Sequence, residues 1–218
     1  MEDHREDPRT DRLGALLDQL DSARQIAQAR LDGLASPASL PKGAPLSPRT
    51  GDGPLTDEEY LWEPAPGAWS IRRRGEAASP RPSGPGNWQL DGAAGDPDPT
   101  PVTTIAWRLG HLHSDVAGRW EWTFGERRRP PDQLVDFDPS AAVALERLWA
   151  TLGRWRDSVA AVTDEQLDTV GYCQYPWSDA AELPFIAVLW ASNLEFIHHM
   201  AEIALLRDLY RTRPTGAR

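Results

Sequence analysis

The chain has 218 residues, a formal net charge of −10 and one cysteine, Cys173. That length can bury one sizeable core, the acidic balance argues against a nucleic-acid binder, and a lone cysteine excludes an intramolecular disulfide framework and fits a reducing cytoplasm. The opening MEDHREDP is too acidic and polar for a secretory signal, and the longest apolar run, near Ile186–Ala191, is far too short to span a bilayer. The expectation is a soluble, cytoplasmic protein without a membrane partner.

In chain order, residues 1–10 read as a disordered tail. A helix follows over 11–34, with Leu13, Leu16, Leu17, Leu20, Ala27, Leu31 and Leu34 at helical spacing. Prolines at 37, 41, 45, 48 and 54 make 36–54 an irregular connection. Thr56-x-x-Glu59 is a capping box that opens a short helical turn. Residues 62–100 read as an irregular excursion. Within it Trp69 and Ile71 alternate with polar neighbours, as do Trp88 and Leu90, which suggests a short hairpin.

A second long helix is expected over 103–124, with a core stripe of Ile105, Leu109, Leu112 and Val116. Gly110 and Ser114 leave room beside it for something to approach. The third helix, 140–161, carries the seam Leu145, Leu148, Leu152, Trp155 and Val159. Thr163-x-x-Gln166 is another capping box, followed by the aromatic loop GYCQYPWSD. The last helix, 184–211, has a proline at its start and basic residues at its end. Phe185, Leu189, Phe196 and Ile203 form its stripe, widened by Ile186, Leu194, Ile197 and Leu205, so the helix is expected to be buried on much of its circumference. Four amphipathic helices and no long strand predict an all-α fold, a four-helix bundle with long irregular connections, over 11–212, with 213–218 as a tail. Several of the ten tryptophans should line a core or a pocket.

Four of the five histidines sit in two pairs, His111/His113 and His198/His199. Glu195 and His199 are four apart, so they share a helix face; His198, three from Glu195, satisfies the geometry almost as well. A carboxylate sunk in so apolar a helix costs free energy unless it is paired or binds a metal. Bundle interiors build metal sites from a carboxylate and a histidine at such spacing plus a ligand from a facing helix. Two histidines and a glutamate with open positions make a catalytic rather than a structural zinc set, and an iron set as well. The plain alternative is a surface ion pair. Asp115 reads as a surface carboxylate, and Cys173 as an incidental loop thiol, with a fourth ligand or a nucleophile as the alternative.

WSIRRR, PVTTIAWRLGHL and ELPFIAVLWASNLEFIHHMAEIALLRDLYR resemble the DinB-like superfamily, in particular its actinobacterial members. The resemblance covers roughly residues 10–212, and the last-helix run is its most specific part. That group includes mycothiol-dependent maleylpyruvate isomerases and bacillithiol transferases. The resemblance implies a metal-binding four-helix bundle, with His111 as the ligand of the WxxxH pattern and Glu195 and His199 as the last-helix pair. Many members have histidine where this chain has Glu195; the mycothiol-dependent isomerases are similar in using glutamate. The implied cofactor is a divalent metal, zinc first, with iron or nickel as alternatives.

The implied activity is S-transfer from a small thiol of mycothiol type to an electrophile lodged among Trp107, Tyr175 and Trp177. Glu202, one turn beyond His199, would orient that imidazole; otherwise it pairs with Arg207 or another base. Trp107, Asp115, His198 and Glu202 are the pocket candidates. The isomerases carry a further C-terminal domain, whereas the sequence ends at Arg218, so maleylpyruvate isomerisation is not expected. A homodimer, and a non-catalytic metal- or small-molecule-binding bundle, are the remaining alternatives.

Overall fold

The computed structural model describes residues 12–33, 53–93, 99 and 101–214. The expected tail 1–10, most of the proline-rich connection and the end of the C-terminal tail lie outside the described residues. The elements are α1 (Arg12–Leu31), α2 (Asp57–Leu61), β1 (Ile71–Arg73), β2 (Trp88–Leu90), α3 (Ile105–Thr123), α4 (Ala141–Val159), α5 (Asp164–Asp168) and α6 (Phe185–Thr212). Among the described residues the protein is all-α apart from one hairpin. Four long helices form the bundle: α3 packs on α4 and α6, and α6 packs on α1.

The helix boundaries follow from local chemistry. Thr104 caps α3 by accepting a hydrogen bond from the Trp107 backbone N–H, and Thr163 and Gln166 complete a reciprocal capping box at α5. Of the capping box expected at Thr56, only the threonine half forms: Thr56 accepts from the Glu59 N–H, while the Glu59 carboxylate is taken by Arg207. Pro184 is the N-cap of α6 rather than its first helical residue. α1 stops at Leu31 instead of running to 34, because Gly33 turns the chain with φ +68° and a Cβ there would lie 2.6 Å from the Pro54 nitrogen. No helix among the described residues is long and apolar enough to cross a membrane.

The expected stripe of α3 is buried throughout, as are Phe185, Leu189, Phe196 and Ile203 of α6. The wider burial expected of α6 is not found. Ile186, Leu194 and Ile197 are only partly covered, while Trp190, Leu205 and Leu209 face solvent, because α1, α3 and α5 pack on only part of the helix circumference.

The expected hairpin forms, with Ile71, Arg72 and Arg73 paired antiparallel to Leu90, Gln89 and Trp88. Its anchor is the buried Asp91, which accepts from the backbone N–H groups of Ser70 and Ala78 and from the Arg72 guanidinium. The hairpin rests on α3 at Gly110. A Cβ there would come within 2.9 Å of Leu90 Cδ1 and 3.2 Å of Phe137, so the space left by this glycine is filled by protein. A second lock joins distant segments. Arg207, fully buried, donates to both carboxylate oxygens of Glu59 at 2.8 and 3.0 Å, and also to the carbonyls of Arg30 and Gly53.

Candidate metal centre

α3 and α6 bring His111, Glu195 and His199 together, each offering a ligand atom within 4.8 Å of the others. Glu195 and His199 share a face of α6 by their four-residue spacing, and α3 supplies His111 opposite them. Glu195 Oε1 lies 2.9 Å from His111 Nε2 and 3.0 Å from His199 Nε2. The two imidazoles meet edge to face at 4.8 Å. Hydrogen bonds from His111 and then His199 hold the Glu195 carboxyl well below the usual carboxylate range. Burial pushes His199 down, but its bonds to Glu195 and Glu202 outweigh this and its pKa rises.

Each ring is held from behind. The Trp107 indole lies parallel to His111 at 5.1 Å, and its Nε1 donates to the Asp91 carbonyl at 2.8 Å. The hairpin anchor therefore sets the face on which His111 rests. His199 Nδ1 lies 2.6 Å from Glu202 Oε2 and 2.9 Å from Arg108 Nη1. Nδ1 cannot donate to one and accept from the other at once; the closer carboxylate takes the proton, and Arg108 pairs with Glu202 as well. With Glu202 holding Nδ1–H, loss of the Nε2 proton would leave the Nε2 lone pair on the Glu195 side, the tautomer a metal ligand needs.

The donor set fits a divalent cation. Two bonds of about 2.0–2.1 Å at a tetrahedral angle separate ligand atoms by about 3.3 Å, so the present 2.9 and 3.0 Å separations need open only slightly. A cation held there would take the place of the protons now shared between the imidazoles and Oε1. His111 and Glu195 keep 33% and 38% of their side-chain surface, which leaves the cluster reachable from solvent.

That exposure corrects one expectation. Glu195 is half-buried at the edge of α6 rather than sunk in it, so desolvation alone does not demand a metal. Asp115 is not a surface carboxylate: its side chain is 12% exposed and pairs with Arg119 at 2.8 Å. His198 points to solvent. His113 faces α4, where it bonds Thr151 Oγ1 at 3.0 Å; burial, then the charges of Arg147 and Arg154, push it down to about 4.

Glu202 pairs with His199 and Arg108, while Arg207 pairs with Glu59. Trp107 lies at the cluster. Tyr175 instead packs on Arg119 further along α3, with Trp177 beside it. Cys173 is fully buried near Arg119, and is not one of the converging donors. Sequence reasoning missed Arg108 and Asp91; nothing in their immediate neighbourhood announces partners so far along the chain.

Comparison with curated proteins and with solved structures returns no match. The family model described as the DinB superfamily matches residues 80–203, a segment that holds β2, α3, α4 and the part of α6 with Glu195 and His199. With more than half of its length matched, the chain belongs to the DinB superfamily.

Proposed function

We propose that the chain is a metal-dependent enzyme in which His111, Glu195 and His199 hold one divalent cation, zinc by donor type, and that it transfers a low-molecular-weight thiol, of mycothiol type, to an electrophile. The observation that carries this reading is the convergence of three ligand atoms from two helices, with Glu202 on the far nitrogen of His199 and one side open. When bound, the cation supplies the Lewis acidity that lowers a thiol's pKa. The chain's own part is to orient. Trp107 fixes the plane of the His111 ring, Glu202 holds the Nδ1 proton of His199, and Arg108 balances the Glu202 charge.

The reaction class is a displacement or addition. The thiol S–H loses its proton to solvent, the sulfur lone pair forms a C–S bond, and the electron pair of the broken bond leaves with the acceptor's leaving group or stays on the adduct.

Metal analysis of untagged protein tests the first part. Alanine at His111, Glu195 or His199 should abolish stoichiometric metal, while His113→Ala and His198→Ala should keep it. Parent-like metal content in all five variants would refute the centre. Titration of cobalt-substituted protein with small thiols tests the second part: an unchanged ligand-field spectrum with every thiol points to a non-catalytic metal-binding bundle instead.

A further inference from the structure

α3 carries a second histidine on the side away from the cluster, since His113 lies about 200° around the helix from His111. It lines a cleft of about 490 Å³ between α3, α4 and residues 134–136. That volume falls within the roughly 300–1,000 Å³ of small-molecule sites. The cleft combines two chemistries. Leu134, Val135 and Ala150 give it an apolar wall, and Arg147 and Arg154, two turns apart on one face of α4, give it two guanidiniums.

Arg147 is aimed by its partners: Nη1 donates to the Asp136 carbonyl at 2.6 Å and Nη2 lies 3.7 Å from Asp138. Arg154 stacks 4.0 Å over the Trp120 ring and has no carboxylate partner among the described residues. At the base, His113 Nε2 and the buried Thr151 Oγ1 bond each other at 3.0 Å. Asp136 also lines the cleft, but its carboxylate is packed against Gly86. With Asp138 set against Arg147 and Asp136 at the rim, Arg154 is the guanidinium of this lining that meets no carboxylate among the described residues, in a chain whose net charge is −10.

We propose that this cleft is a second ligand site, independent of the metal centre, for a small organic carboxylate. The anionic head sits between Arg147 and Arg154, whose planar donors suit a carboxylate. The apolar body lies on Leu134, Val135 and Ala150, and Thr151 with His113 supplies the polar floor.

The test is an NMR titration of isotope-labelled full-length protein with short aliphatic carboxylates and benzoate. The matching neutral amides and inorganic phosphate serve as separate arms, all at millimolar concentration. The carboxylates should move the His113 and Thr151 signals, and the amides should not. Arg154→Gln alters an exposed side chain, so helicity and metal content should stay at parent level while carboxylate affinity falls about tenfold or more, the loss of a charge-assisted hydrogen bond. An equal response to amides, no response to any carboxylate, or parent-like affinity in Arg154→Gln would overturn the proposal. Phosphate binding as tight as that of the carboxylates would overturn the assignment of ligand class.

Discussion

Replacing Glu59 with alanine should destabilise the protein far more than its place in a five-residue helix suggests. Its carboxylate meets the Arg207 guanidinium at 2.8 and 3.0 Å, with the arginine side chain 0% and the glutamate 3% exposed. Removing the carboxylate leaves a buried cation uncompensated, a loss of about 3–5 kcal/mol. In a chain of this size each kcal/mol lowers Tm by about 2–4 °C, so the fall should be about 6–20 °C. Arg211, whose Nε lies 3.5 Å from the same carboxylate oxygen, would be left beside a second like charge. Thermal unfolding followed by far-UV circular dichroism, with urea titration as a check, measures the effect. The double variant Glu59→Leu/Arg207→Met should recover most of the loss, because it removes both charges together and keeps apolar volume. A single variant within about a degree of the parent would show that the guanidinium finds water, and that the lock between α2 and α6 is not an energetic one.

Glu202→Gln should weaken metal binding about 10–100-fold, measured by competition with a chelator, since a neutral amide holds the His199 Nδ1 proton less well; unchanged affinity would place Glu202 with Arg108 alone. Trp107→Leu should weaken metal binding by a smaller factor while leaving helicity intact, and a fully unfolded variant would mean the indole is a core residue rather than a support for His111. Gly110→Ala should cost about 1–3 kcal/mol in urea unfolding, because its new methyl meets Leu90 and Phe137; a stabilised variant would contradict the close packing of hairpin on helix. Trp155→Ala, at a site 2% exposed, should cost about 3–5 kcal/mol, and a cost under 1 kcal/mol would show that the site collapses around the missing ring.

The bundle was legible because its signals are local. The seam Leu145–Val159 and the capping box of Thr163 and Gln166 each need only a few neighbouring residues and are found where the spacing puts them, whereas at Thr56 only the threonine half of the expected box forms. The candidate site was legible in part. Four-residue spacing pairs Glu195 with His199 but ranks His198 almost equally; the family resemblance favours His199, and the packing of α6 against α3 turns His199 inward and leaves His198 exposed. The exposure of Glu195 was misjudged because a helix rich in apolar residues need not bury all of them, as Trp190 and Leu205 show. Partners far apart in the chain left no trace: Glu59 and Arg207 are 148 residues apart, and the sequence reads Glu59 as a capping-box residue and Arg207 as a candidate partner of Glu202.

The hairpin bears on how large a piece of the chain can work by itself. The family match begins at residue 80, between the two strands, and ends at 203, before Arg207. A fragment cut to those limits would keep His111, Glu195 and His199 but lose β1, the strand that pairs with β2, and with Ser70, Arg72 and Ala78 all three contacts described for the Asp91 carboxylate. The Asp91 carbonyl would then be free to move, and the Trp107 indole that hangs from it would no longer present a fixed face to His111. Shared ancestry thus outlines a shorter unit than mechanics does, and a fragment that keeps the Asp91 anchor must start upstream of Ser70.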